Sequence, residues 1–166
     1  MEKRPAKRRS TPDSSAVTPA NVPLKRIVVP LDGSKDSFQA GSFAVKLAKP
    51  FGAEVFFVHS VVGPQYLQYE TGAVLVLHYI EDAKSNAEEW YKKVGEVASR
   101  EGVKFSSETI LDVASVTDAI LSYAEGKHAD LIVMGTKGRT GLKRFLLGSV
   151  ASGVVAHAKC SVLVVR

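Results

Sequence analysis

Short, continuous apolar runs recur along this chain, and segments with helical spacing fill the gaps between them. Four runs stand out: RIVVPL at 26–31, AEVFFVHSV at 53–61, DLIVMG at 130–135 and SVLVV at 161–165. A fifth, VKFSSETIL at 103–111, alternates in part. Each is short, rich in β-branched residues and bounded by turn formers, which reads as a strand. A strand that is apolar throughout must be covered on both faces. That condition is met by a parallel sheet with helices above and below.

The intervening segments supply those helices. Ser34 is placed to cap a helix whose faces carry Phe38, Ser42, Val45 and Lys49, and Ala40, Phe43, Ala44 and Leu47, before Pro50-Phe51-Gly52 stops it. After a loop marked by Gly63-Pro64, helical spacing starts near Ala73 and runs through Leu77, Ile80, Ala83, Ala87, Tyr91 and Val94. Ser115 opens a third helix with Val116, Ile120 and Tyr123 or Ala124 inward. Residues 148–158 form a fourth, built of small side chains. Strand and helix alternate from end to end, which predicts an α/β fold. It is an open, doubly wound, five-stranded parallel sheet with helices on both faces, and right-handed crossovers leave few topologies. For a strand order of 3-2-1-4-5, the ligand crevice lies beyond the carboxyl ends of strands 1 and 4, where the order reverses. The residues that follow those strands are Asp32-Gly33-Ser34 and the glycine segment from Gly135.

Size and charge narrow the function classes. A chain of 166 residues suits one domain that buries a core without staples. A lone cysteine, Cys160, rules out an internal disulfide and suits a reducing, cytoplasmic setting. Cys160 itself reads as a small hydrophobe at the start of a strand. No apolar run reaches the length of a membrane span, and the basic N-terminus has no apolar segment behind it, so neither membrane insertion nor a secretory signal is expected. The net charge is +5, but Lys3, Arg4, Lys7, Arg8 and Arg9 against Glu2 and Asp13 place much of it in residues 1–23. That stretch, rich in Pro, Ser and Thr, is expected to be a disordered basic tail before a domain at 24–166. The tail is a solvated extension or a docking arm for nucleic acid or protein. The rest is near neutral, which argues against a broad nucleic-acid face.

The segment VMGTKGRTGLKRFLLGSV, 133–150, carries the most chemistry. It is not a Walker loop: Thr140 and Lys143 stand where the second glycine is required. Nor is it the paired-glycine dinucleotide fingerprint. What remains is a glycine-rich turn after a buried strand, leading to a helix start at Gly148-Ser149. Backbone N–H groups and the helix dipole there attract an anion, with Lys137, Arg139, Lys143 and Arg144 nearby in sequence. A plain structural turn with solvated basic residues fits the same spacing. Asp32 suits a ribose hydroxyl or a water-bridged metal, and equally turn and cap chemistry with Gly33 and Ser34. His59 reads as structural, with no metal-spaced partner.

IVVPLDGS, AEVFFVHSV, the glycine segment and CSVLVV together resemble the universal stress protein family, across about residues 24–166. Two glycines separated by two residues, nine more and then Gly-Ser match the family's nucleotide-binding pattern, here Gly135, Gly138, Gly148 and Ser149. The resemblance implies an adenine nucleotide alpha-hydrolase-like fold that binds ATP, or AMP or ADP, with Mg2+ or Mn2+ bridging the phosphates. It places adenine against Pro30, Leu31, the end of the second strand at Ser60, and Met134. Asp32 would meet the ribose, and Gly135, Gly138, Gly148, Ser149 and Val150 the phosphates. The second strand often ends His-Val in that family; here it ends His59-Ser60. The resemblance also implies a homodimer through the last strand, 161–165, and a role in stress response or signalling. An efficient enzyme is not expected, because no base is evident to orient water, though slow ATP hydrolysis stays open. Two other readings remain: an ATP-dependent transferase or ligase of the related adenine-binding type, and an interaction module docking through its tail. DGSKDS at 32–37 only faintly echoes the phosphate loop of those transferases and ligases.

Overall fold

A computed structural model of the protein describes residues 23–63, 73–138 and 147–166. The elements alternate as the sequence requires: β1 (Arg26–Pro30), α1 (Lys35–Phe51), β2 (Glu54–Val62), α2 (Ala73–Glu101), β3 (Phe105–Val113), α3 (Val116–Gly126), β4 (Leu131–Gly135), α4 (Ser149–His157) and β5 (Ser161–Val165). The strands form one sheet in the order β3-β2-β1-β4-β5, parallel at every pairing. The expected fold class and strand order are therefore both observed. The N-terminal tail, and the loop between β2 and α2, fall on residues outside those described.

Alternation along each strand divides the core in two. Ile27 and Val29 of β1, Val55 and Phe57 of β2 and Val133 of β4 face α1 and α2, where Val45, Ala48, Val94 and Ala98 cover them. Val28, Phe56, Val58, Ile132 and Met134 face α3 and α4, against Ile120, Tyr123 and Val154. Phe57 and Ile132 are fully buried, one on each side. Truncating either to alanine would cost about 2–5 kcal/mol.

Helix α1 shows why it begins and ends where it does. The Ser34 side chain accepts from the Ser37 N–H at 3.2 Å, and the Ser37 hydroxyl donates back to the Ser34 carbonyl at 2.9 Å. At the other end of α1, Gly52 takes φ 61°, a left-handed stop that suits glycine. The buried stripe of α1 is Ser37, Ala40, Gly41, Ala44, Val45 and Ala48, a run with helical spacing. Phe43, grouped by spacing with Ala40, Ala44 and Leu47, falls outside that stripe and is 44% exposed. Leu77 of α2 is also exposed, at 60%. The buried residues described on α2 begin at Ala87, so its first turns extend beyond the face it covers.

Candidate functional site

Strands β1 and β4 lie side by side, yet their following helices cover opposite faces of the sheet. The connections leave in opposite directions, and a crevice opens between them at the carboxyl ends. It encloses about 440 Å3 and is lined by all ten residues singled out in the sequence: Pro30, Leu31, Asp32, Ser60, Met134, Gly135, Gly138, Gly148, Ser149 and Val150. That volume lies in the range of small-molecule sites.

The crevice wall carries both apolar and polar groups. Val58, Val62, Val116, Ile120 and Met134 supply the first. Asp32, Thr136, Lys137, Gly138 and Ser149 supply the second. Hydrogen bonds bring the polar groups together. Asp32 Oδ1 accepts from the Ser34 N–H at 3.0 Å and from its hydroxyl at 2.6 Å, which fixes the turn after β1. Asp32 thus performs turn chemistry while its carboxylate lines the crevice. The Gly148 N–H donates to the Thr136 carbonyl at 2.7 Å. That bond joins the two ends of the glycine segment, so residues separated in sequence share one wall. Arg139, Lys143 and Arg144 lie outside the described residues, and Lys137 is the cation of that segment placed on the crevice.

Helix α4 begins at this wall. Its cap, Gly148, makes no side-chain capping bond, and its first turn holds no acidic residue. The first N–H groups of a helix have no partner within it, and the dipole adds partial positive charge. The geometry therefore offers an anion site backed by the glycine turn.

Two glycines have distinct reasons for lacking a side chain. A Cβ at Gly135 would fall 2.8 Å from the Asp36 carbonyl carbon, so the close approach of α1 already requires glycine there. A Cβ at Gly138 would fall 2.6 Å from Asp32 Oδ2, inside the crevice itself.

The structure adds residues that sequence reasoning did not single out. Asp36 Oδ2 accepts from the Thr136 hydroxyl at 2.8 Å and from the Lys137 N–H at 3.2 Å, pinning the start of the glycine segment to α1. An acid in the first turn of a helix is ordinary dipole chemistry, so its spacing gave no hint of this second role. Trp90, the only tryptophan, packs against Gly33, which has φ 79°, and meets the His59 ring edge-on at 4.9 Å. His59 Nδ1 is 2.7 Å from the Leu31 carbonyl, which makes it a donor there and a structural tie between β2 and the crevice floor.

Away from the crevice, burial pushes the Cys160 thiol up, opposite to what a reactive thiolate needs. Burial likewise raises Tyr123, with the nearby Glu108 carboxylate adding to it. Among the described residues no group of three or more His, Cys, Asp or Glu side chains is arranged to hold a metal ion. No described helix is long and apolar enough to cross a membrane.

An open parallel sheet with a crevice and a glycine-capped helix start at its switch point defines a doubly wound α/β protein. Comparison with known proteins makes this specific. The universal stress protein family model matches residues 23–166, and the chain belongs to that family. It is 44% identical over 144 residues to a universal stress protein of Methanocaldococcus jannaschii, covering 86% of this chain and 82% of that one. It is 37% identical over 146 residues to a putative universal stress protein of Staphylococcus aureus, covering 87% and 86%. Among solved structures, the universal stress protein UspA from Lactobacillus plantarum superposes with a TM-score of 0.71 at 28% identity, covering 88% of this chain and 100% of that one. Its relatives have the adenine nucleotide alpha-hydrolase-like fold. More distant structures of the same fold have been solved with cAMP, dAMP and AMP.

Proposed function

We propose that this universal stress protein binds an adenine nucleotide (ATP, or AMP or ADP) in the crevice between β1 and β4. The observation that carries this reading is the uncapped N-terminus of α4 at Gly148, facing the glycine turn and Asp32 within one 440 Å3 slot. The base lies against Pro30, Leu31, Ser60 and Met134. Asp32 accepts from the ribose hydroxyls. The phosphates meet the backbone of Gly138, Gly148, Ser149 and Val150, with Gly135 behind them. Support comes also from the adenine nucleotides bound by proteins of the same fold.

Asp32 is the carboxylate on the crevice wall, too little to cage a metal. Mg2+ or Mn2+ would be held chiefly by phosphate oxygens and water, a mode that suits Mg2+ well. In this reading the nucleotide serves as a signal or stabilising ligand more than as fuel. The second copy in this reading joins at β5. Its apolar residues Val162, Leu163, Val164 and Val165 are only partly buried, and β5 is an edge of the sheet. A two-fold partner would cover both the edge and those side chains. The protein would then act as a cytoplasmic, nucleotide-linked dimer in the stress response.

Two measurements test this. Calorimetric titration with ATP, ADP and AMP should give saturable binding, and silence at millimolar nucleotide rejects the reading. Denaturing freshly purified protein and identifying released small molecules by mass spectrometry should recover an adenine nucleotide.

A further inference from the structure

A second concavity adjoins the turn that follows β1. Asp32 of that turn lines the crevice described above, Gly33 lines this one, and the two share no lining residue. The second is a groove of about 670 Å3 between α1 and the end of β5, more open to solvent than the crevice. Val165 of β5 lines it and packs with the α1–α2 half of the core, which sets the groove on that face of the sheet. The free hydrogen-bonding edge of β5 points along the sheet instead, because side chains leave a strand perpendicular to its ladder.

The lining is apolar and cationic. Phe38 and Phe43 join Val165 in it, and Phe43 is among the exposed large apolar side chains. Lys35, Lys46 and Arg166 are its charged side chains, and none is acidic. Lys93 of α2 adds a fourth cation, its Nζ 5.6 Å from the centre of the Phe38 ring. Among the described residues none of these four forms an ion pair, whereas Lys49, Lys127 and Lys159 each hold a glutamate. The domain outside the N-terminal tail is near neutral, so this unopposed positive charge is local.

Helical spacing gives the groove its length. Lys35, Gln39, Ser42 and Lys46 all line it, at i, i+4, i+7 and i+11, one face of α1. From Lys35 to Lys46 that face runs about 16 Å at 1.5 Å per residue. An extended chain of about five residues covers the same distance. Cations spread over that length, with aromatic side chains among them, complement a short segment carrying carboxylates and an apolar anchor. A nucleic acid would use a longer basic track along its phosphates, and the near-neutral domain does not provide one.

We propose that this groove is a docking site for an acidic peptide segment of a partner protein. The segment lays its carboxylates against Lys35, Lys46 and Arg166 and an apolar side chain against Phe43. The proposal is independent of the nucleotide reading, since it uses none of the crevice residues.

The test titrates full-length protein into a fluorescently labelled synthetic peptide of about eight residues that alternates glutamate with leucine, read by anisotropy. Binding should be saturable and weaken as salt rises. It should fall about tenfold or more in Lys46→Glu, where like charge replaces opposite charge. Phe43→Ala should weaken it about fivefold or more, as the loss of an aromatic anchor does. Both side chains are exposed, so circular dichroism should be unchanged in either variant. The same peptide with glutamine in place of glutamate should bind at least about tenfold more weakly. Absence of binding, equal binding of the glutamate and glutamine peptides, or equal binding by wild type and Lys46→Glu would each overturn the proposal. Tighter binding of an oligothymidylate, lost in Lys46→Glu, would overturn it in favour of nucleic acid. A lower sedimentation mass of Lys46→Glu than of wild type would overturn it by making the groove an interface between copies.

Discussion

Helices α1 and α4 both start at the crevice, and they treat their first turns differently. The start of α1 is finished from within: Ser34 caps it, Asp32 holds Ser34, and Asp36 brings negative charge into the first turn. The start of α4 has glycine at its cap, no capping bond and no acid. The same backbone dipole is thus answered by the chain's own side chains in one place and not in the other, which in the proposed reading leaves it to the nucleotide's phosphates. Even Asp36 serves the difference, since its carboxylate reaches across to Thr136 and Lys137 and holds the loop that leads toward α4.

The largest expected effect removes the anion site by filling it. Gly138→Val places a Cβ against the Asp32 carboxylate, 2.6 Å from Oδ2, with two methyls beyond it. Nucleotide affinity should fall by about 100-fold or more, well over the tenfold that 1.4 kcal/mol represents. Circular dichroism should be unchanged, and retained affinity in the folded variant would make the loop a turn only. A sharper change gives α4 what α1 already has. Gly148→Asp supplies a cap carboxylate at a backbone conformation, φ −69° and ψ 160°, that any residue adopts. Its Cβ would lie 3.2 Å from the Thr136 carbonyl oxygen, a tight contact that asks the backbone to give by a few tenths of an ångström. Phosphate binding should weaken by roughly tenfold or more, by like charge, while helix capping adds up to about 1 kcal/mol of stability. Titration calorimetry and urea unfolding read the two effects separately.

The reverse experiment is Ser34→Ala, which strips the cap from α1. It should cost about 1 kcal/mol in unfolding free energy. AMP affinity should change far less than in Gly148→Asp, because α1 does not present its first turn to the anion. A loss of affinity as large as that of the α4 variant would erase the distinction between the two helices. The smallest effect lies at the far end of α1, where Lys49 Nζ is 2.7 Å from the exposed Glu101 carboxylate. The hydrogen bond and charge of Lys49 hold the Glu101 carboxyl below the usual carboxylate range. A depressed acid contributes stability above its unfolded pKa and loses it as pH falls through its folded one. Lys49→Ala should therefore slightly flatten the acid limb of a melting-temperature profile and leave neutral-pH binding unchanged, since exposed pairs contribute little.

Much of this molecule was legible before any coordinates. The strand runs, the Ser34 cap and the Gly52 stop are local signals, and each produced the element expected. The glycine spacing pointed to one wall of one crevice, and the residues named from it do line the same slot. Phe43 shares a face with Ala40 and Ala44 by spacing yet is exposed, because neighbouring positions differ by a single 100° step and only the packed neighbours decide which step is buried. Asp36 was missed because its local role, an acid in a first turn, already accounted for it. Trp90 was missed because its partners, Gly33 and His59, are far away in sequence.

The sequence by itself determined the alternating elements, the family pattern and the identity of the glycines. Periodicity, capping and turn chemistry act over a few residues and need no fold to be read. Only the tertiary structure decided what meets across the switch point: the Gly148 N–H on the Thr136 carbonyl, Asp36 on the loop after β4, and the Gly138 backbone against Asp32. It also left the Ser60 hydroxyl buried with no hydrogen-bond partner among the described residues. Whether a polar group is satisfied depends on every element packed around it, and that is settled when the sheet and its helices close together.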